Sequence, residues 1–124
     1  MPEKNTILIV DDEPDILSLT EKFLKHANFK TITASNGREA LDIVEKKFSE
    51  IALVLLDIMM PGISGYSVLK EIKTKYKDIK VILFTIKSFT EDIQEGKRLG
   101  ADGYINKPFS GTELIKCIKE HLKK

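Results

Sequence analysis

One stretch limits the possible folds more than any other. Ile51-Ala52-Leu53-Val54-Leu55-Leu56 runs without a polar residue into Asp57. A β-rich apolar run this short suits a strand covered on both faces, as in a parallel sheet with helices above and below. A carboxylate is costly inside such a strand, so Asp57 must emerge at its carboxyl end. In open α/β sheets that edge is where ligands bind. Met60-Pro61-Gly62 then turns the chain.

The flanking sequence repeats the theme. Thr6-Ile7-Leu8-Ile9-Val10 is a second apolar strand, ending on Asp11-Asp12, and Glu13-Pro14 opens a helix with proline in its first turn. Ile16, Leu19, Phe23 and Ala27 give that helix an apolar stripe. Thr31–Ala34 reads as a short strand. Asn36, with Glu39 three residues on, caps a second helix whose inner face is Ala40, Leu41, Val44 and Phe48. After Asp57, Ser64-Gly65 begins a third helix with Val68, Leu69 and Ile72 inward. Val81–Phe84 is a strand ending at Thr85. Ser88 and Glu91 cap a short fourth helix weakened by Gly96, at about 1 kcal/mol relative to alanine, and this helix is expected to be the most mobile. Gly103–Asn106 is a fifth strand leading into Lys107-Pro108. Ser110 and Glu113 cap a last helix with Leu114, Ile115, Ile118 and Leu122 inward. Strand and helix alternate five times over short connections, which predicts right-handed βαβ units in one doubly wound parallel α/β sheet with helices on both faces. Residues 4–124 read as one domain, with no linker or repeat.

Composition removes several function classes. A net charge of +1 gives no general attraction to nucleic acid or acidic lipid. The balance is uneven: residues 1–69 carry 7 basic and 11 acidic side chains, and residues 70–124 carry 13 and 8. The lysines between Lys70 and Lys80 read as a solvated helix face rather than a nucleic-acid patch. No apolar run approaches the ~20 residues of a membrane-spanning helix. The start of the chain lacks a secretory apolar region, and one cysteine permits no internal disulfide, so the expected location is cytoplasmic. His26 and His121 lack ligand spacing and read as solvated, and Cys117 reads as a half-buried packing residue.

In a parallel sheet, Asp11, Asp12, Asp57, Thr85 and Lys107 all follow strands at the same edge, so they are candidates for one pocket. Clustered carboxylates must protonate or hold a cation. An all-oxygen set without thiol or imidazole favours a hard divalent ion, and one that shares its site with phosphate favours Mg²⁺ over Ca²⁺. Lys107 and the Thr85 hydroxyl add groups suited to an oxyanion. Asp57 is then the candidate nucleophile for a transferring phosphoryl group.

With these residues in place, the chain resembles the receiver domains of two-component response regulators, similar to the single-domain chemotaxis type. The matching segments are Ile9-Val10-Asp11-Asp12-Glu13-Pro14, Leu55-Leu56-Asp57-Ile58-Met59-Met60-Pro61-Gly62, Thr85, and Tyr104-Ile105-Asn106-Lys107-Pro108. The resemblance implies a flavodoxin-like fold with strand order 2-1-3-4-5. It implies that Asp57 accepts phosphate from a sensor histidine kinase or phosphotransfer protein. It further implies that Asp12, Asp57 and the Met59 backbone carbonyl ligate Mg²⁺, with Asp11 acting largely through water. Lys107 and Thr85 are implied to bind phosphoryl oxygens, Thr85 and Tyr104 to form the switch, and Lys107-Pro108 to be a cis peptide. A downstream effector is implied to bind the face formed by the fourth helix, fifth strand and fifth helix. No membrane and no direct nucleic-acid partner is expected, and no turnover of a separate substrate.

Other functions on this architecture fit less well. An aspartyl-phosphate phosphatase commonly carries a second aspartate two residues after its nucleophile, where this chain has Met59. A flavin or nucleotide site needs a first loop that welcomes phosphate, and Asp11-Asp12-Glu13 repels it unless a metal intervenes. An unphosphorylated scaffold would not need all five pocket residues. Ile86 stands where the family often has a small residue, and neither Met59 nor Lys87 supplies a group to guide a hydrolytic water. These positions predict a long-lived phosphorylated form.

Overall fold

The computed structural model describes residues 5–58, 60, 62–85, 90–106 and 109–122, with the backbone alone for 85 and 90–93. Five strands alternate with five helices: β1 Thr6–Val10, α1 Pro14–His26, β2 Lys30–Ala34, α2 Gly37–Lys47, β3 Ile51–Asp57, α3 Gly65–Lys75, β4 Lys80–Thr85, α4 Thr90–Arg98, β5 Gly103–Asn106 and α5 Gly111–Leu122. All strand pairs are parallel, and the sheet order is β2-β1-β3-β4-β5. The doubly wound sheet and its order are therefore as expected.

Burial explains the apolar runs. Every residue of β1 and β3 is buried, because alternate side chains enter opposite cores. Leu8, Val10, Val54, Leu56, Val81 and Leu83 face one layer with Ala40 and Val44 of α2 and Val68, Leu69 and Ile72 of α3. Ile7, Ile9, Leu53, Leu55, Ile82 and Phe84 face the other with Leu24 of α1 and Leu114 and Ile118 of α5. A strand with a solvated face would have alternated polar and apolar residues, and these do not.

The caps expected for α2 and α5 form. Glu39 N donates to Asn36 Oδ1 at 2.8 Å, and Glu39 in turn accepts from Ser35 N. Glu113 N donates to Ser110 Oγ at 3.1 Å, and Ser110 N donates back to Glu113 Oε1. The Ser64 hydroxyl caps α3 by accepting from Ser67 N. Ser88 lies outside the described residues.

Three packing expectations need correction. Of the expected inward stripe of α1, Ile16-Leu19-Phe23-Ala27, Phe23 packs partly buried against the core, but the stripe is not the centre of that face. The inward face is centred on Thr20 and Leu24, both fully buried, while Leu19 is 45% exposed. A polar residue on the buried stripe misled the periodicity argument. The Thr20 hydroxyl has no hydrogen-bond partner among the described residues, which is an unfavourable way to bury it. Phe48 falls just past α2 rather than on its inner face. It is 48% exposed and stacks on Tyr76 with ring centroids 5.3 Å apart. His121 is not solvated. Its Nε2 lies 3.0 Å from the Asp102 carbonyl oxygen and its Nδ1 2.8 Å from that of Cys117. The ring fills space that a side chain at Gly103 would occupy.

Thr20→Val keeps the shape and removes the unpaired hydroxyl. It is expected to stabilise the fold by about 1 kcal/mol, read as a higher urea midpoint at unchanged slope. A loss of stability would show that the hydroxyl is satisfied in solution.

Candidate functional site at the carboxyl edge

The sheet register sets the site. Val10 of β1 is level with Leu56 of β3, so Asp11 and Asp57 come next on adjacent strands. Asp57 is level with Phe84 of β4, and Thr85, one step further, is level with Asn106 of β5. β1 and β3 are also where the winding direction reverses, so their following loops diverge and leave a crevice.

Into this crevice point three carboxylates. Asp11, Asp12 and Asp57 each present an oxygen within 4.8 Å of the others. Asp11 is fully buried and Asp57 is 4% exposed, while Asp12 faces solvent. Asp11 is held from two sides. Its amide donates to the Ala34 carbonyl of β2 at 3.1 Å, and its Oδ1 accepts from Glu13 N at 2.9 Å. This second bond orients the carboxylate at the α1 N-terminus, where the helix dipole favours an anion.

Two buried carboxylates at that spacing repel by about 3 kcal/mol at an effective dielectric near 20. A cation converts this repulsion into attraction. The oxygen-only donors fit a hard divalent ion. Asp11, Asp12 and Asp57 would hold such an ion, which would supply positive charge to the crevice.

Asp57 depends on a close approach that sequence reasoning missed. Gly65, the first residue of α3, donates its amide to the Ile58 carbonyl at 3.4 Å. A Cβ at Gly65 would stand 2.5 Å from the Asp57 carbonyl oxygen and 2.7 Å from Ile58 Cα. Both are backbone atoms, so no side-chain rotation relieves the clash. In the sequence Gly65 reads only as a helix start, because the strand end it presses on is eight residues earlier.

Tyr104 on β5 is half-buried, and burial raises its phenol above the ordinary tyrosine range. Its hydroxyl would lie 3.0 Å from a Cβ at Gly96 of α4, and Leu83 Cδ1 would lie at 2.6 Å. Gly96 is therefore a packing requirement that seats α4 on β4 and β5, besides being a poor helix former. Cys117 is half-buried as expected, and burial together with the Glu120 carboxylate pushes its thiol up. The structure thus brings Asp11, Asp12 and Asp57 together and carries the Thr85 and Tyr104 backbones to the same sheet. Met59, Ile86, Lys87, Lys107 and Pro108 lie outside the described residues.

Comparison with known proteins agrees with this geometry. Residues 7–119 match the family model of the response regulator receiver domain. The response regulator SaeR of Staphylococcus aureus is 38% identical over 116 residues, covering 94% of this chain and 50% of SaeR. The chain thus spans about half the length of the curated relatives it matches. A CheY-like receiver domain protein from Methanospirillum hungatei superposes with a TM-score of 0.91 at 32% identity, covering 97% of this chain and 94% of that one. Chemotaxis protein CheY4 of Vibrio cholerae gives 0.89 at 30%, covering 95% and 98%.

Gly65→Ala is expected to cost about 2 kcal/mol, within the 1–3 kcal/mol typical of overpacking, and to weaken divalent-cation binding at Asp57. Denaturation with and without Mg²⁺ measures both effects. Cation at a hundred times its Kd should stabilise the unaltered chain by about 2.7 kcal/mol. Asp12→Asn, a solvent-facing change, should reduce that gain without lowering stability in chelator.

Proposed function

The chain belongs to the response regulator receiver domain family, and from that premise we propose that it is a phosphorylation-activated signalling receiver with Asp57 as phosphoacceptor. Receiver domains serve two-component systems and are signalling proteins rather than enzymes with a separate substrate. The observation that carries the assignment of Asp57 is the set of three carboxylates within 4.8 Å at the carboxyl edge, two of them buried.

In this reading Asp12, Asp57 and the Met59 carbonyl hold Mg²⁺, with Asp11 acting largely through water. The ion supplies charge neutralisation for the incoming phosphoryl group. A carboxylate oxygen of Asp57 attacks the phosphorus of a phosphohistidine on a kinase or phosphotransfer protein. The P–O bond forms as the P–N bond breaks, and the departing imidazole nitrogen takes up a proton. Lys107 pairs with one phosphoryl oxygen and Thr85 donates to another, so besides the Asp57 nucleophile the chain contributes position and charge. The strand register supports this role for Thr85, which stands one step beyond the level of Asp57 on the neighbouring strand.

The family resemblance further implies a switch. Movement of Thr85 toward the phosphate frees space, Tyr104 turns into it, and the α4–β5–α5 face changes its affinity for an effector. The contact of Tyr104 with the α4 backbone at Gly96 supports this coupling. A cytoplasmic location suits these partners, and among the described residues no helix is long and apolar enough to cross a membrane.

Acetyl phosphate with Mg²⁺ is expected to add one phosphate by mass, and Asp57→Asn to abolish the addition. Modification of a different residue, or none in the unaltered chain, would sink the assignment. The phosphorylated form is expected to persist for minutes or longer, as Met59, Ile86 and Lys87 suggest. Decay within seconds would contradict that part alone. Turnover of a generic phosphate ester would favour a phosphatase instead.

A further inference from the structure

A trough of about 1050 Å³ runs between α1 and α5, on the sheet face opposite α2 and α3. Its floor is apolar, formed by Phe23, Ala27 and Ile115. Lys22, His26, Lys116 and Lys119 stand along its rim against one carboxylate, Glu120. Gly111 makes the trough possible: a Cβ there would lie 2.7 Å from Phe23 Cδ1, so its absence lets α5 approach the ring. Leu19, 45% exposed and one turn before Phe23, continues the apolar line along α1.

We propose that this trough docks an acidic amphipathic helix of a partner protein. Length is the first argument. From Gly111 to Glu120 the α5 wall runs about 13 Å, enough for two to three turns of a second helix. Charge is the second. The lining sets three lysines and a histidine against a single glutamate, so the rim complements an acidic partner. A helix with leucine-type residues at i, i+4 and i+7 and acidic flanks would satisfy floor and rim together. A phosphate backbone would match the lysines and leave the floor uncovered. A lipid surface is flat, while the apolar residues here are recessed.

The docking does not rest on phosphoryl acceptance. Lys22 lies about 12 Å along α1 from Pro14, the end nearest the carboxylates, so the site is separate from them along the helix.

The test is selection from a displayed library of amphipathic helical peptides with randomised flanks, against the unphosphorylated chain. Enriched peptides are expected to carry acidic flanks, and to bind at least tenfold more weakly to a folded Lys116→Glu/Lys119→Glu variant. Arg38→Glu, on α2 across the sheet, should not change binding. Amides of residues 22–27 and 111–120 should shift on binding. No enrichment, basic or neutral winners, or indifference to the charge reversal would overturn the proposal. Dimerisation abolished by Ile115→Glu would overturn it in favour of a second copy. Binding to phosphatidylserine vesicles through the same lysines would overturn it in favour of a membrane surface. Failure of phosphorylation at Asp57 would leave every one of these outcomes readable.

Discussion

The structure depends on placing negative charge at the end of fully apolar strands. Asp11 and Asp57 are the first residues at which β1 and β3 can end without a carboxylate inside the core, yet both remain almost wholly buried. Their mutual repulsion is a standing cost in the absence of a cation. The surrounding chain offsets part of it: a backbone amide from Glu13 serves Asp11, and the α1 N-terminus faces the same crevice. A domain optimised for stability would neutralise these groups. Two carboxylates sequestered this closely favour a cation, and through it an oxyanion, more than exposed carboxylates do.

Glycines in two helices set how near those helices sit to the sheet. Gly65 presses α3 onto the backbone at Asp57, and Gly96 presses α4 onto Leu83 and Tyr104. The far edge of the sheet is fastened differently. Lys73 Nζ donates to Asp102 Oδ2 at 2.9 Å and to the Ile79 carbonyl at 2.9 Å, and the same carboxylate accepts from Val81 N. His121 reaches the Asp102 carbonyl from α5. One residue in the α4–β5 turn thus ties α3, β4 and α5 together. The ion pair is mostly buried and its carboxylate has a further backbone partner, so it constrains geometry more firmly than an exposed pair would.

The strand positions, the caps of α2 and α5 and the carboxylate cluster were legible because each has a local signature. Unbroken apolar runs mark doubly covered strands, a polar residue followed by glutamate three on marks a cap, and a carboxylate after a buried strand has one place to go. The α1 face was not legible, because Thr20 occupies a core position that a polar side chain ordinarily avoids. Nor were the roles of Gly65, Gly103 and Asp102, which follow from contacts with elements brought near only by folding. His121 illustrates the point. Its sequence neighbours suggest a solvated helix end, and only the missing side chain at Gly103 opens the space its ring occupies.

The two faces of the sheet consequently divide the work. Gly96 of α4 lies close to Leu83 and Tyr104, so the proposed switch would have a short route from the carboxyl edge to the face carrying α4. The α1–α5 face has a different character: its floor is built on Leu24, Leu114 and Ile118, all fully buried. Rotation of Tyr104 does not require those residues to move. A partner bound between α1 and α5 would therefore meet nearly the same surface in either state, with an affinity set by shape and charge. A partner bound across α4 would be sensitive to the state of Asp57. On the two proposed surfaces one protein would be held in both states and a second conditionally, and the separation of the two cores would be the physical reason.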